Sequence, residues 1–449
     1  MTNSILEQLK ELLENHQFAK MRPLLNEMNQ INLAEFLNEI KREQAIRCFR
    51  MLSKDLASDV FPEISSELQE YIISSVTDQE LKTIINDLFV DDAVDMLEEM
   101  PANVVKRVLA NANTETRSLI NEFLKYPESS AGSVMTAEFV SFPKTLTVSQ
   151  AIAYIRNTGI DKETVYLCYV TNQSRILEGV VSFKELLFAA PDTLIEDIME
   201  TDIIYTITTE DQEEAIRKIQ KYGLLAIPVV DSENRIVGII TIDDAMDVMQ
   251  EEATEDFEKM AAMAPSEKPY LKMSAFELAK NRIGWLLLMM FSAMFTGKII
   301  ENYSAAILAV PLLNTFIPML MDTGGNSGSQ SSTLIIRGMA VSEIKTSDWL
   351  KVLFKEVRIA GMIGVVLAAA NFIRLYFIQY PGDLNLALTV VITLFFTVIM
   401  AKSIGATLPM VAKTLKLDPA IMASPMITTI VDIVSLIVYF NIAQHFFKF

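Results

Sequence analysis

A single carboxylate lies within an otherwise apolar segment near the C-terminal end of the chain. Asp432 is the only Asp, Glu, Lys or Arg between Asp418 and Lys448, in the segment A-I-M-A-S-P-M-I-T-T-I-V-D-I-V-S-L-I-V-Y-F-N-I-A. Such a segment is long enough to cross a bilayer as a helix. A charge at that depth is costly and usually faces a bundle interior or a water-filled path. We therefore expect Asp432 to lie on a cation path; the alternative is structural pairing with another helix.

Other oxygen donors accompany this carboxylate. Thr428 and Thr429 lie one helical turn before Asp432, and Pro425 is expected to free the carbonyl of Ile421 by removing a backbone donor. Carboxylate, hydroxyl and carbonyl oxygens suit Mg²⁺, which often keeps several of its waters. No His or Cys lies nearby, which argues against a transition metal held by soft ligands. The sequence predicts a pore site at Asp432 and Thr428, shaped by Pro425.

A second polar sequence stands between apolar runs. It reads P-M-L-M-D-T-G-G-N-S-G-S-Q-S-S-T, from Pro318 to Thr333, and we expect it to interrupt the spans. Glycines let backbones approach closely, and polar backbone at membrane depth is tolerated only inside protein or beside a cavity. The alternative is a glycine-mediated helix crossing. The predicted pore-lining and packing residues are Asp322, Gly324, Gly325, Asn326, Gly328 and Gln330.

Charge divides the chain into two unlike parts. The whole chain has 57 acidic and 38 basic residues, for a net charge of −19. From Phe276 onward there are 9 acidic and 13 basic residues, which leaves 48 and 25 for the first part, a net of −23. A region this acidic repels nucleic-acid phosphates and suits cations. The sequence predicts an acidic soluble part followed by a membrane part.

The few cysteines and histidines indicate neither disulfides nor a zinc centre. Cys48 and Cys168 lie far apart, and His16 and His445 have no metal-ligand spacing with them. The first fifteen residues alternate apolar and polar residues as an amphipathic helix and have no continuous apolar run. They do not read as a signal peptide, so we expect the soluble part to lie in the cytosol.

The first two domains differ in their periodicity. Residues 1–129 have apolar residues at steps of three and four throughout. A weak repeat links E-F-L-N-E-I at Glu35, D-V-F-P-E-I at Asp59 and D-M-L-E-E-M at Asp95. The gaps between the copies are uneven. We expect an all-α superhelix of stacked helix pairs without a strict period.

Residues 130–250 contain an internal duplication of short strands and helices. Gly179 in the first copy matches Gly238 in the second. In the same way, Ser182 matches Thr241 and Glu185 matches Asp244. The segment resembles a tandem pair of CBS domains, a β-α-β-β-α module. The resemblance implies that Thr241 and Asp244 can contact an adenosine nucleotide such as ATP, whereas the first pair fits that role less well. The alternative is a folded dimerisation module with an empty cleft.

A long acidic helix is predicted to connect the duplication to the membrane part. It belongs to the segment 251–275, and Glu251, Glu252, Glu255 and Glu258 share one face. A solvated face is the common explanation of such a run. Here no Lys or Arg lies between Asp243 and Lys259, so the like charges repel unless a cation or a basic partner neutralises them. We expect this helix to be continuous with the first span.

The membrane part, 276–449, is predicted to hold five helical spans. They centre on 283–297, 302–321, 359–373, 384–401 and 420–446. The segment Arg337–Arg358 carries five basic residues, and Lys413 and Lys416 precede the last span. The positive-inside rule then predicts a cytosolic N-terminus and a C-terminus outside. The expected fold is multidomain: α-superhelix, tandem α/β CBS domains, connecting helix and five-span membrane domain.

The G-G-N-S-G-S-Q sequence and the L-D-P-A…D-I-V-S-L motif, together with this domain order, resemble the MgtE family of magnesium channels and transporters over the whole chain. The resemblance implies a homodimer in the lipid bilayer of the cell membrane. It also implies that the pore lies at the subunit interface, that Asp432 forms the ion site and that cytosolic Mg²⁺ closes the pore. The residues that match the family's sensor sites are Asp91 (or its neighbour Asp92), Asp95, Asp247, Glu251, Glu252, Glu255 and Glu258.

Two other functions compete with a magnesium channel. A secondary transporter coupled to Na⁺ or H⁺ could use one intramembrane carboxylate per chain as a proton relay. A membrane enzyme regulated by nucleotides would need catalytic motifs. The sequence has no Walker loop, no HExxH and no usable Ser–His–Asp set. We therefore predict that the protein is not an enzyme.

Overall fold

The structure is a computed structural model. It describes residues 2–266, 270–271, 273–422 and 424–448. The chain forms two compact units, Met1–Met249 and Gln250–Phe449, and each is described by itself below.

The first unit begins with short helices, as the periodicity predicts. Asparagines link them at a constant interval of 27 residues. The Asn26 side chain accepts from the Ser53 amide at 2.7 Å, Asn38 accepts from Ser65 at 2.9 Å, and Asn86 accepts from Asn113 at 2.8 Å. The helices are α1 (Thr2–Glu14), α2 (Phe18–Asn26), α3 (Gln30–Glu39), α4 (Arg42–Phe49), α5 (Lys54–Val60), α6 (Ser66–Ser75), α7 (Asp78–Asp87), α8 (Val90–Glu98), α9 (Ala102–Asn111) and α10 (Thr114–Phe123).

Two three-stranded sheets follow, one for each copy of the duplication. The first copy is β1 (Val140–Phe142), α11 (Val148–Thr158), β2 (Leu167–Thr171), β3 (Leu177–Ser182) and α12 (Phe183–Phe188). The second is β4 (Thr206–Ile207), α13 (Gln212–Tyr222), β5 (Ala226–Val230), β6 (Ile236–Thr241) and α14 (Ile242–Met260). In each sheet the first strand pairs in parallel with the second, and the second pairs antiparallel with the third.

The matching glycines occupy equivalent positions in these sheets. Gly179 pairs with Val170, and Gly238 pairs with Val229. A Cβ atom on either glycine would lie 2.6 Å from a methionine sulfur: that of Met199 for Gly179, and that of Met135 for Gly238. The β-α-β-β-α order predicted from the sequence is therefore confirmed, and both glycines are required by the same close approach.

The acidic helix is not continuous with the first membrane helix, so that prediction was wrong. The helix α14 ends at Met260, and the next helix begins at Ala275. Within the predicted connecting segment 251–275, residues 267–269 and 272 lie outside the described residues. A capping box at Ser274, with Glu277 at the third helical position, starts the new helix. That local signal explains where the new helix begins.

The second unit consists mainly of long helices. The helices are α15 (Ala275–Asn302), α16 (Ser304–Ala309), α17 (Leu313–Ala340), α18 (Trp349–Ile373), α19 (Leu384–Thr414) and α20 (Ser424–Phe447). Among the described residues, four of these helices are long and apolar enough to cross a membrane, namely α15, α18, α19 and α20; α18 and α20 are counted with their short flanking turns. Four of the five predicted spans thus have a candidate helix among the described residues.

The predicted second span, 302–321, was wrong in its bounds. The chain forms the short helix α16, leaves helical geometry at Val310, and begins α17 at Leu313. Pro311 lies in this break, because proline cannot continue a helix without losing a backbone bond. The polar sequence 318–333 does not interrupt a helix; it lies inside α17, which has 28 residues and so is about 42 Å long.

Candidate ion-binding sites

One face of α17 carries a line of exposed polar side chains. Asp322, Asn326 and Gln330 are exposed and are spaced by four residues, so they follow one another along the helix. The Asn326 amide nitrogen donates to Asp322 Oδ1 at 3.1 Å. We call these three residues the polar stripe of α17. Its members were all predicted as pore-lining residues, and the structure places them together.

The neighbouring face of α17 carries the predicted glycines and packs against α19 and α20. All three glycines are buried. A Cβ on Gly325 would lie 2.8 Å from the Thr428 methyl group and 3.2 Å from its hydroxyl. A Cβ on Gly324 would lie 2.8 Å from both Thr397 and Val431, and one on Gly328 would lie 2.7 Å from Ile427. The polar sequence therefore provides a tight helix crossing and an exposed polar line at the same time.

Asp432 lies next to this crossing, on α20. Its side chain is only partly buried, but its Oδ1 atom is buried and has no hydrogen-bond partner among the described residues. A buried acceptor without a partner is costly. Thr428, one turn earlier, is the residue that contacts Gly325. The structure thus brings the predicted pore residue Thr428 against the glycine face of α17, and Asp432 follows it by one helical turn.

The predicted role of Pro425 needs correction. Pro425 lies in the first turn of α20, because the helix begins at Ser424. A proline in the first turn replaces an amide that has no helical partner in any case. Ile421 belongs to a separate 3₁₀ turn, Pro419–Met422. Pro425 therefore starts the helix and does not break it; its carbonyl accepts from the Thr429 hydroxyl at 3.1 Å.

The sequence reading missed four polar residues in these helices. Thr397 on α19 has a buried hydroxyl with no hydrogen-bond partner among the described residues. Ser331, Glu356 and Lys402 form a buried network described below. A signal was available for two of them, since Thr397 and Lys402 are polar residues on the mostly apolar helix α19. Glu356 and Lys402 were passed over because they lie just outside the predicted limits of their spans.

In the first unit, carboxylates of the helical domain approach those of the CBS pair. Asp91 and Asp92 lie in the first turn of α8. Burial raises the pKa of Asp91 well above its usual range, and the charges of Asp92, Asp244 and Glu138 add to that effect. Burial raises the pKa of Asp92 to about 6, with contributions from Asp244, Glu63 and Glu138. These groups therefore repel one another and are partly shielded from water.

Further carboxylates belong to the same group. Burial raises the pKa of Glu163 to about 7, with Asp244 and Asp243 contributing. Burial and then Asp247 raise the pKa of Glu63. We call this group the acidic cluster; its members are Glu63, Asp91, Asp92, Glu138, Glu163, Asp243, Asp244 and Asp247. Asp91 Oδ1 is buried and has no hydrogen-bond partner within the described part of the chain.

The acidic cluster is not a preformed metal site. In the described part of the chain, no three Asp, Glu, His or Cys side chains are close enough together to hold one metal ion. The carboxylates repel one another electrostatically without being in direct contact. This geometry fits ions that keep their waters and bind between carboxylates, since Mg²⁺ dehydrates reluctantly. The sequence predicted Asp91, or its neighbour Asp92, and Asp247 as sensor residues, and it singled out Asp244 only as a nucleotide contact; the remaining members were not predicted.

The other predicted sensor residues lie elsewhere. Asp95 is exposed on α8. Glu251, Glu252, Glu255 and Glu258 lie along the second half of α14, in the second unit, and Glu251 is exposed while the others are partly buried. The Glu258 carboxylate accepts from the Ser266 amide at 2.8 Å.

A lysine in the last turn of α14 forms ion pairs with α14 itself and with the segment before α20. Lys259 Nζ lies 2.6 Å from Glu255 Oε1 and 2.7 Å from Asp418 Oδ2. Hydrogen bonds and charge from these two carboxylates raise the pKa of Lys259 above its usual range, although its partial burial acts the other way. One predicted sensor residue, Glu255, is therefore neutralised by a lysine in this structure.

The predicted nucleotide residues start two helices. Ser182 and Glu185 form a capping box at the start of α12, with the Ser182 hydroxyl 2.8 Å from the carboxylate. The Thr241 hydroxyl donates to Asp244 at the start of α14. Both pairs thus have a structural role in their own copy. Asp244 belongs to the acidic cluster as well, so any ligand at Thr241 would lie beside negative charge.

Comparison with known proteins identifies a class of membrane transporter. Residues 317–442 match a family model described as a divalent cation transporter, residues 28–129 match the MgtE intracellular N domain, and residues 131–192 and 195–251 match CBS domains. These matches define the class as divalent-cation transporters with an intracellular N domain and a pair of CBS domains.

The chain belongs to the MgtE family of magnesium transporters. It is 32% identical over 448 residues to the magnesium transporter MgtE of Thermus thermophilus, covering 99% of both chains. It is also 32% identical over 435 residues to the magnesium transporter MgtE of Bacillus subtilis, covering 97% of this chain and 96% of that one. These relatives are transporters and not enzymes, which confirms that prediction.

Two solved structures resemble the soluble part. One is the soluble part of a magnesium transporter, with a TM-score of 0.53 and 29% identity, covering 56% of this chain and 100% of that chain. The other is the cytosolic domain of the Mg²⁺ channel MgtE in complex with ATP, with a TM-score of 0.52 and 32% identity, covering 54% of this chain and 99% of that chain. The helical domain and the CBS pair of this protein therefore have the architecture of those cytosolic domains.

Proposed function

We propose that this protein is a homodimeric Mg²⁺ channel of the cell membrane that admits Mg²⁺ and is closed by cytosolic Mg²⁺. The observation that carries the proposal is the buried, unpartnered Oδ1 of Asp432, beside the crossing of Thr428 and Gly325. An acceptor left without a donor in a membrane helix is stable when a hydrated cation supplies the missing partner. In this proposal Asp432 and Thr428 hold Mg²⁺ through its waters.

The polar stripe of α17 supports assembly of two copies around the ion path. Asp322, Asn326 and Gln330 are exposed in the single chain, yet polar groups are not exposed to lipid at membrane depth without a large cost. A second copy of the chain and a water-filled path would cover them. We propose that α17 is the fifth span, that the N-terminus is cytosolic and that the C-terminus lies outside.

The acidic cluster supports closure by cytosolic Mg²⁺. Its carboxylates are crowded enough to raise one another's pKa, as at Asp92 and Glu163. Divalent ions between them would turn that repulsion into attraction and stabilise the compact arrangement of the first unit. We propose that the helix α14 carries this change onward, because its first turns hold Asp243, Asp244 and Asp247. The proposed domain limits are 1–129, 130–250, 251–275 and 276–449.

A nucleotide is a second proposed ligand of the CBS pair. The related cytosolic domain was solved with ATP, and Thr241 and Asp244 are the residues that the resemblance to CBS domains assigns to an adenosine nucleotide. Since Asp244 is also in the acidic cluster, ATP and Mg²⁺ would act on the same carboxylate. Binding of one would then change the affinity for the other by the same factor in both directions.

The test is Mg²⁺ uptake into liposomes containing purified full-length protein. Asp432→Asn keeps the size of the side chain and removes its charge, so we expect at least about a hundredfold loss of uptake, because charge attraction to a divalent ion is lost at low dielectric. Glu301→Gln is the matched control: it removes one carboxylate that is 68% exposed and paired with Lys298. Equal uptake by Asp432→Asn and the unmodified protein would contradict the assignment.

The same liposomes separate a channel from a coupled carrier. Uptake through a channel depends only on the electrochemical gradient of Mg²⁺. Uptake through a coupled carrier also depends on an imposed Na⁺ or H⁺ gradient at fixed membrane potential. We expect no such dependence. A Mg²⁺ flux that reverses when only the H⁺ gradient is reversed would establish the carrier.

A further inference from the structure

Three polar side chains from three different helices form a buried network within the second unit. The Ser331 hydroxyl on α17 donates to Glu356 Oε2 on α18 at 2.6 Å. Lys402 Nζ on α19 donates to the Ser331 hydroxyl at 3.3 Å and to the Ser327 carbonyl at 3.4 Å. The exposed fractions are 1% for Ser331, 7% for Glu356 and 3% for Lys402. None of the three lies on α20, the helix of Asp432.

The chemistry of the network requires all three members. Burying a lone ammonium or carboxylate is costly, and such charges in membrane helices are usually paired. Here the serine hydroxyl joins the two charges, because its oxygen accepts from Lys402 while its hydrogen is donated to Glu356. Removing any member leaves a buried charge or a buried polar group with fewer partners.

The network lies at the closest approach of two helices. A Cβ on Gly405 of α19 would overlap the carbonyl of Gly328 on α17, and a Cβ on Gly328 would lie 3.1 Å from the carbonyl of Ala401. Lys402 follows Ala401 on α19, and Ser327 precedes Gly328 on α17. The ammonium of Lys402 therefore reinforces a crossing at which the two backbones touch.

The same part of α17 also contacts the helix of the ion site. Gly325, less than one turn before Gly328, lies against Thr428, and Gly324 lies against Val431, the neighbour of Asp432. A shift of α17 at Ser327 and Ser331 would therefore change the contacts of the ion site. The network holds α17 from the side of α18 and α19, and the glycines contact α20.

We propose that Glu356, Ser331 and Lys402 are positioning residues for the ion path: they fix α17 so that its glycine face holds Thr428 and Asp432 in place. This inference rests on the proposed Mg²⁺ function of Asp432. The three residues do not contact the ion. Their two opposite charges balance each other, so their effect on transport is through helix position and through the match of charges.

The experiment compares single and double neutral variants of full-length protein in liposomes. Lys402→Met and Glu356→Gln each leave one uncompensated buried charge, so each should lower Mg²⁺ uptake by about tenfold or more. The double variant Lys402→Met/Glu356→Gln has no uncompensated charge and should regain uptake to within about threefold of the unmodified protein. Lys355→Met is the control, because Lys355 adjoins Glu356 on α18 but is exposed.

A second measurement separates positioning from simple loss of folded protein. The ratio of Mg²⁺ to Ca²⁺ uptake does not depend on how many molecules are active. We expect that ratio to change by about threefold or more in each single variant and to return in the double variant. A constant ratio in all variants, or a double variant no better than the singles, would overturn the proposal.

Thermal unfolding of the same variants in detergent distinguishes this inference from the proposed function. Each single variant should unfold at a lower temperature than the unmodified protein, and the double variant should recover. If the unmodified protein takes up no Mg²⁺, the proposed channel fails whatever the network does. If it takes up Mg²⁺ and the variants show no coupling in unfolding, the network fails and the channel stands.

Discussion

The acidic cluster of the first unit and the Asp432 site of the second solve the problem of attracting a cation in opposite ways. The cluster has many carboxylates, half-buried and mutually repelling, with no three of them in the described residues converging on one ion position. The Asp432 site has one carboxylate, close to a crossing where a single added carbon would meet a neighbour at 2.8 Å. Charge number dominates in the first region and position dominates in the second.

This difference has a clear physical origin. Carboxylates in partly aqueous surroundings are screened, so several are needed to attract Mg²⁺ and their exact positions matter little. In a membrane helix each charge is expensive, so one is used and its surroundings must be fixed. Charge removal should therefore have graded effects in the cluster, and small changes in packing should have severe effects at the crossing.

The largest effect is expected from one added methyl group at the crossing. Gly325→Ala places a Cβ 2.8 Å from Thr428, so α17 and α20 must separate, and we expect about a hundredfold loss of Mg²⁺ uptake. Gly361→Ala is the matched control, since a Cβ there meets nothing within 4 Å. Uptake by reconstituted protein measures both. If the two alanine variants behave alike, position does not dominate at this site.

A smaller effect is expected from charge removal in the cluster. Asp91→Asn with Asp92→Asn should raise the Mg²⁺ concentration that half-protects α8 from hydrogen exchange by about tenfold, because two attracting carboxylates are lost. Asp95→Asn is the control on the same helix. Asp95 is exposed on that helix. An equal shift from Asp95→Asn alone would place Asp95 among the sensing residues, as the sequence predicts.

A few-fold change in the rate of proteolysis is expected when the Lys259 ammonium group is removed. Lys259→Gln removes the ion pairs with Glu255 and Asp418. The two partly exposed pairs share one ammonium and together contribute about 0.5–1 kcal/mol, so proteolysis near the end of α14 should become about two- to fivefold faster. Lys298→Gln, which removes the exposed pair with Glu301, should leave that rate unchanged. An unchanged rate in Lys259→Gln would show that this lysine does not hold α14.

A further effect in the cluster depends on pH. Asp92 has a folded pKa of about 6 against a usual value of 3.8, so between those values the folded state binds more protons than the unfolded state. Stability from this group therefore rises as pH falls through 6 and is lost as pH rises. We expect the free energy of opening of α8 to be about 1–3 kcal/mol larger at pH 5 than at pH 8 without Mg²⁺.

Hydrogen exchange of α8, corrected for intrinsic rates, measures this difference. Added Mg²⁺ should protect α8 more at pH 8 than at pH 5, because at pH 5 protons already neutralise the cluster. In Asp92→Asn the pH dependence between 5 and 7 should be smaller. Greater protection at pH 8 than at pH 5 in the absence of Mg²⁺ would mean that the cluster is not under repulsion.

The sequence alone predicted those features that depend on composition and short-range pattern. The acidic first part, the tandem β-α-β-β-α copies with Gly179 and Gly238 in register, and apolar helices in the second part are all of this kind. Asp432 could be singled out because a charge in an apolar run is visible without any structure. The predicted second span failed because hydropathy does not locate the break at Pro311, nor show that a polar sequence can continue as helix.

Tertiary structure alone decided which polar groups meet. Asp92, Glu138 and Glu163 join the acidic cluster from segments far apart in sequence, and Glu356 reaches Lys402 only through Ser331 on a third helix. No periodicity encodes such meetings, because they depend on how helices cross, which is set by small residues such as Gly328 and Gly405. The sequence determined that the chain carries charges suited to Mg²⁺; the packing of its helices determined which of those charges are left without a partner.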